Sequence, residues 1–203
     1  LQKTHDGKRA YFGTNPICFT APRKDMDPYC LDMATSMISW NKVLLARENN
    51  QTLDKNLAAD ENGVMTTDPN KARSLLSAGS YKGYGLASMV EVLCGVFTGM
   101  TFGRDIPAMF TTPMDQARKL GQFYLVMKTD SCVDNDSFLG NMLKMSQEIL
   151  EEPSFGDAIT MLPGDREIIV AKERLENGIP LDESTSQALK ELALKLNLVI
   201  KIS

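Results

Sequence analysis

The sequence of 203 residues has one histidine, one tryptophan and no surplus of positive charge. Each shortage closes off a class of function. With 22 Lys plus Arg against 26 Asp plus Glu, the formal charge is −4, and no long basic cluster offers general attraction for a phosphate backbone. Non-specific nucleic-acid binding is therefore excluded as a reading, and an anionic substrate needs a local cationic pocket instead. The four cysteines, Cys18, Cys30, Cys94 and Cys132, are dispersed without a C-x-x-C pair. With a single histidine to join them, neither a zinc framework nor a dense disulfide scaffold fits, and no metal is expected. An even number leaves one bridge open, but isolated buried thiols in a reducing compartment are the preferred reading. No uninterrupted apolar run approaches ~20 residues and no secretory leader opens the chain, so the expectation is a soluble, cytoplasmic protein with no membrane partner.

What remains is ordinary globular composition, 43% hydrophobic and 24% charged, enough for a proper core in one or two domains. The first residue is Leu1, and Leu1 to Arg9 is polar and unpatterned. Residues 1–10 are expected to be a loose opening segment, and the chain a fragment, a processed product or a single domain. Tyr11 to Met33 alternates short apolar runs with turn residues, which predicts two short strands joined by a polar connection over Pro22 to Pro28. From Met33 to Ala46 the apolar residues take helical spacing, which places Asp32 at a strand-to-helix switch. Residues 47–81 read as mostly loop, with a short helix around Pro69 to Ser77. Leu86 to Phe97 is apolar on all sides and predicts a central buried helix.

Residues 100–121 read as loop, Phe123 to Met127 as a short strand, and Ser137 to Glu151 as a helix. A turn at Met161 to Asp165 and the charged Arg166 to Asn177 follow. An amphipathic helix is expected over 181–197, capped by Ser184 or Thr185, with a closing strand at Leu198 to Ile202. These elements predict an α/β fold, a mixed sheet with helices.

Candidate chemistry is sparse. A Gly-x-Gly-x-x-Gly fingerprint and a Walker lysine loop are both missing, so neither common nucleotide cradle is encoded. Tyr81-Lys82-Gly83-Tyr84-Gly85 is the nearest substitute: glycines permit close backbone approach, Lys82 supplies a point charge, and a helix starts there. The same residues also read as a tightly packed helix start with an exposed lysine. Asp32 either caps the following helix or accepts hydrogen bonds from a ribose or amide. Gly164, Asp165 and Arg166 form either a plain turn or a polar edge along a ligand. Arg118 either anchors a carboxylate through its planar fork or is a solvated charge. His5 lies in the loose opening segment, so acid–base work within this chain would fall to Lys82 or a carboxylate.

The order and wording of four segments carry more than any one alone. They are Phe12-Gly13-Thr14-Asn15-Pro16, Leu31-Asp32-Met33-Ala34-Thr35-Ser36, Asp60 to Pro69, and Lys82-Gly83-Tyr84-Gly85-Leu86. Together they resemble the malate/L-lactate dehydrogenase family of the second type, unrelated in fold to the better-known lactate and malate dehydrogenases. Within it, Phe102-Gly103-Arg104 and Arg118 to Gln122 are most similar to the ureidoglycolate dehydrogenase branch. The resemblance implies a non-Rossmann dinucleotide-binding domain over 11–135, with a C-terminal helical portion over 136–203 packing with it. It implies NAD, or NADP, as the hydride carrier and a small 2-hydroxy or 2-keto acid as substrate, most closely ureidoglycolate going to oxalurate in allantoin breakdown. It also implies a homodimer.

Carried over by motif, Asp32, Met33, Ala34 and Lys82 would contact the cofactor, Gly164, Asp165 and Arg166 would lie along it, and Arg118 would serve the substrate. The family's catalytic histidine belongs to a segment upstream of the Gly-Thr-Asn-Pro motif that this chain does not contain, so no catalytic residue is assigned. The chain alone is expected to bind cofactor better than it turns over.

Overall fold

The computed structural model describes residues 1–109 and 111–200. The chain divides into two compact units, Leu1–Lys144 and Met145–Ser203. The first is mixed α/β. A five-stranded sheet is built from very short strands in the order β2-β1-β7-β5-β6: β1 (Gln2–Lys3), β2 (Ala10–Phe12), β5 (Ala58–Ala59), β6 (Met65–Thr66) and β7 (Ser74–Leu75). β1 pairs antiparallel with β2 and parallel with β7, so the opening segment is an interior strand of the sheet. The looseness expected of residues 1–10 is corrected here. Gln2, whose polarity hid the strand, is fully buried; its Nε2 donates to Gly13 O and Thr35 Oγ1, while its Oε1 has no hydrogen-bond partner among the described residues.

β3 (Ile17–Arg23) and β4 (Met26–Met33) form a separate antiparallel hairpin. The connection is shorter than the prolines imply. Lys24 and Asp25 alone turn the chain between Arg23 and Met26, with Asp25 at φ 54°. Pro22 and Pro28 lie where the register shifts between Ala21 and Arg23, which is where a strand tolerates a residue without an N–H.

β4 does not lead directly into a helix. Residues 34–39 cross the sheet first, and α1 (Trp40–Glu48) starts behind Ser39, whose side chain accepts from the Lys42 N–H. Val43 and Ala46 of α1 pack on Leu53, Ala58, Ala72 and Leu75, with Ile38 and Trp40 closing the edge. Alanines at 58, 59 and 72 let the helix approach the sheet closely. Arg47 seals the layer, donating to Pro69 O (2.7 Å) and Ala72 O (3.1 Å) while lying over the Trp40 ring. The helix expected at 69–77 is absent: Ser74 and Leu75 are fully used as β7.

α2 (Tyr81–Glu91) continues into a π-helical turn, Val92–Val96. The expectation of burial on all sides fails. Gly83, Ala87, Glu91 and Gly95 face inward, while Leu86, Met89, Val92, Val96 and Phe97 are exposed. Phe123 to Met127 forms no strand and is also exposed, since a five-residue apolar run needs a partner edge to become one.

α3 (Asn135–Leu150) contains the boundary between the units. The second unit holds α4 (Asp165–Asn177) and α5 (Glu183–Lys195). The cap of α5 is Asp182, not Ser184 or Thr185. Its carboxylate accepts from the Thr185 N–H (2.8 Å) and hydroxyl (2.7 Å), because only the residue outside the first turn can reach back to those donors. Of the closing strand expected at Leu198 to Ile202, residues 198–200 form none, and residues 201–202 lie outside the described residues. No helix among the described residues is long and apolar enough to cross a membrane.

Candidate functional site

The site is organised by a buried hydroxyl. Thr35, fully buried, donates an N–H to Thr14 O (2.9 Å), and its Oγ1 lies 2.9 Å from Thr14 O and 3.1 Å from Asn15 O. It also takes the Gln2 Nε2 donor at 2.7 Å. Its own carbonyl accepts the Ala78 N–H at 2.9 Å, and Ser36 bridges to Ser77. Three segments therefore converge on one residue: the Gly13–Pro16 loop, the strand exit at residues 34–36, and the approach to α2. An apolar side chain here would strand several buried polar groups at once.

A second tie fixes α2 against the same loop. Asn15, at φ 37°, donates its amide to Ala87 O (2.8 Å) and Glu91 Oε2 (2.7 Å). The other carboxylate oxygen of Glu91 accepts the Gly103 N–H. Glu91 is only 8% exposed, and these two donors are what make a buried carboxylate tolerable. Gly103 itself, at φ 58°, faces the Tyr11 ring so closely that a Cβ would lie 2.7 Å from it. Arg104 then covers that ring from 5.1 Å and donates to Ala10 O.

Of the residues singled out from sequence, Asp32, Met33, Ala34 and Lys82 surround this junction. Asp32 is exposed on β4 opposite Cys18, and Met33 ends the strand opposite Ile17. Ala34 precedes Thr35 directly. Asp32 does not cap a helix, since α1 begins eight residues later, behind Ser39. Asp32 shares a hairpin face with Cys18, whose thiol is held above the ordinary thiol range by desolvation first, with Cys30 and the Asp32 carboxylate adding to the rise. Lys82 is exposed in the first turn of α2 and makes no ion pair among the described residues. Gly83 beside it is a packing residue: a Cβ there would lie 2.1 Å from Ala78 O.

Gly164, Asp165 and Arg166 belong to the second unit. Gly164, at φ 98°, is the N-cap of α4, and the Asp165 carboxylate accepts the Leu162 N–H at 2.9 Å. Arg166 is exposed and lines a shallow concavity with Val170, Arg174 and Ile179. Arg118 is half-buried, its Nε donating to Pro107 O at 3.0 Å. The single histidine, His5, sits on the turn between β1 and β2, 3.6 Å from the Asp6 carboxylate and edge-on to Tyr81.

Gln2, Asn15, Thr35 and Glu91 were not assigned roles from sequence. Two of them stand inside quoted motifs, and Glu91 left a signal of its own: one carboxylate within an apolar helical run must be paired or exposed.

Residues 3–190 match the malate/L-lactate dehydrogenase family. The chain is 36% identical over 162 residues to the ureidoglycolate dehydrogenase (NAD(+)) of Escherichia coli, covering 80% of this chain and 44% of that protein. It is 34% identical over 190 residues to the (2R)-3-sulfolactate dehydrogenase (NADP(+)) of Chromohalobacter salexigens, 93% of this chain and 54% of the relative. Among solved structures, sulfolactate dehydrogenase from Methanocaldococcus jannaschii superposes with a TM-score of 0.83 at 26% identity, over 98% of this chain and 57% of that one. The chain spans about half the length of the curated relatives it matches. With nearly all of its length inside the family match, the chain belongs to the malate/L-lactate dehydrogenase family.

Proposed function

We propose that this chain is the coenzyme-binding part of an NAD(P)-dependent oxidoreductase that moves hydride between nicotinamide and a 2-hydroxy acid. The observation that carries this is the convergence at Thr35, which follows Asp32–Ala34 along the chain and holds Ala78 ahead of the α2 turn that carries Lys82; neither Asp32 nor Lys82 forms a salt bridge among the described residues. The donor set fits a dinucleotide. The Asp32 carboxylate accepts from ribose hydroxyls, and the Lys82 ammonium donates to ribose or phosphate oxygens beside a helix start that favours negative charge. Arg118 takes the substrate carboxylate, and Gly164, Asp165 and Arg166 of the second unit are proposed as coenzyme contacts on the motif resemblance alone. The bound nicotinamide supplies hydride chemistry; this chain's residues bind and orient it.

Both NAD(+)- and NADP(+)-dependent enzymes stand among the relatives, and NAD is our assignment. The substrate proposed is ureidoglycolate, oxidised to oxalurate, on the strength of the relative at 36% identity, with malate or lactate as the alternatives. A cytoplasmic homodimer is proposed with it. Proton transfer is not assigned to His5, which is engaged with Asp6 and two tyrosine rings. The same placement favours the second reading, a dinucleotide-binding module without turnover. Without a positioned base, rate falls by about 10²–10⁴.

The test is calorimetric titration of NADH into this chain, followed by NADH oxidation with oxalurate, oxaloacetate and pyruvate on the full-length gene product. Saturable binding and oxalurate turnover are expected. No binding overturns the coenzyme site; binding with no turnover of any keto acid leaves the module reading.

A further inference from the structure

Cys18 and Cys30 occupy neighbouring strands of the β3–β4 hairpin. Cys18 stands opposite Asp32 and Cys30 opposite Thr20, so by the period of two Cys18, Thr20, Cys30 and Asp32 share one face. The two cysteines are diagonal neighbours on that face. Cys18 is exposed, Cys30 half-buried, and both are free thiols. Cys30 and Asp32 both stand close enough to help hold the Cys18 thiol above its ordinary range. The isolated, buried thiols expected from the sequence are thus, at these two positions, a diagonal pair on one strand face, Cys18 exposed and Cys30 half-buried.

We propose that Cys18 and Cys30 are a dithiol that a peroxide closes to a disulfide, and that closure weakens dinucleotide binding at Asp32. The second clause rests on the function proposed above. The step balances as two thiols and one hydrogen peroxide giving one disulfide and two waters. Peroxide oxygen is transferred first to one sulfur, and the resulting sulfenic acid is attacked by the other with loss of water. The link to Asp32 is geometric. Diagonal partners in an antiparallel pair lie roughly 7–8 Å apart, whereas a disulfide draws its Cα atoms to about 5.5–6 Å. Closure must therefore twist β3 against β4 at the residues beside Asp32, two positions from Cys30, and displace the strand exit that leads to Ala34 and Thr35. Reduction releases it.

The experiment treats this chain with hydrogen peroxide and maps the unreduced peptides by mass spectrometry, with NADH titrated into the reduced, oxidised and re-reduced protein. A linked peptide pair containing Cys18 and Cys30 is expected, lost in Cys18→Ser and in Cys30→Ser and kept in Cys94→Ser and Cys132→Ser. NADH affinity should fall several-fold on oxidation and return with dithiothreitol. Sulfinic acid at Cys18 with Cys30 still free, or bridges only between chains, would overturn the dithiol. The linked pair with unchanged NADH affinity would overturn the coupling to Asp32. Failure of the reduced chain to bind NADH would instead overturn the coenzyme site, and with it the coupling, while peptide mapping still decides the dithiol.

Discussion

The inner and outer faces of α2 and its π-helical extension invert the usual composition. The inner face carries Gly83, Ala87, Glu91 and Gly95, two of them without side chains and one charged. The outer face carries Leu86, Met89, Val92, Val96 and Phe97, all exposed. Burial along this helix is set by how closely its partners approach. Ala78 O sits where a Cβ of Gly83 would be, and Phe102 Cβ lies 2.8 Å from where one on Gly95 would be. A surface that tight admits only small residues, or a carboxylate whose lone pairs are already spoken for.

The contrast can be broken most strongly at Glu91. Replacing Glu91 by Ala removes one of the two acceptors of the Asn15 amide and leaves the Gly103 N–H without one, and about 3 kcal/mol of stability should be lost. Urea unfolding measures it. Gly83→Ala is expected to cost about 2 kcal/mol through overpacking against Ala78, against the gain alanine brings to an open helix position. A Gly83→Ala variant as stable as the parent would show that Ala78 yields freely. On the outer face Phe97→Ser should stay within about 0.5 kcal/mol, which sharpens the comparison, since the larger apolar change then has the smaller effect.

Lys82 shares the helix but not the packing. Lys82→Ala should weaken NADH binding several-fold by calorimetry while leaving the melting temperature of the free chain unchanged; a lower melting point with unchanged affinity would make Lys82 a structural residue. Smallest are the helix caps. Hydrogen bonds from Thr185 hold the Asp182 carboxyl below its ordinary 3.8, and Ser137 does the same for Asp134 ahead of α3. A depressed folded value means that the caps stabilise above the unfolded value, and that this is lost as pH falls through the folded one. Circular dichroism should show α3 and α5 fraying on acidification below the ordinary carboxylate range, and Asp182→Asn should remove part of that dependence.

Legibility differed by element for physical reasons. α3 and α5 follow from amphipathic spacing and the β3–β4 strands from apolar runs set between turn residues, because each pattern runs over enough residues to be seen; α4 was legible only as a charged stretch. The five-stranded sheet does not, since strands of two or three residues end before alternation repeats. The candidate site divides in the same way. Asp32 to Ala34 and Lys82 stand within motifs that carry the family resemblance, whereas the roles of Gln2, Thr35 and Glu91 depend on partners 33, 21 and 76 positions away.

By itself, then, the order of motifs along the chain determined the family and the class of coenzyme to test. The tertiary structure decided which side of α2 is buried, that Asp32 lies within a strand rather than capping a helix, and that two cysteines twelve positions apart stand diagonally on one face of a hairpin. Motifs are local strings that survive reading in isolation. Burial, pairing and proximity arise only when distant segments are brought within a few ångströms, and no local pattern records that distance.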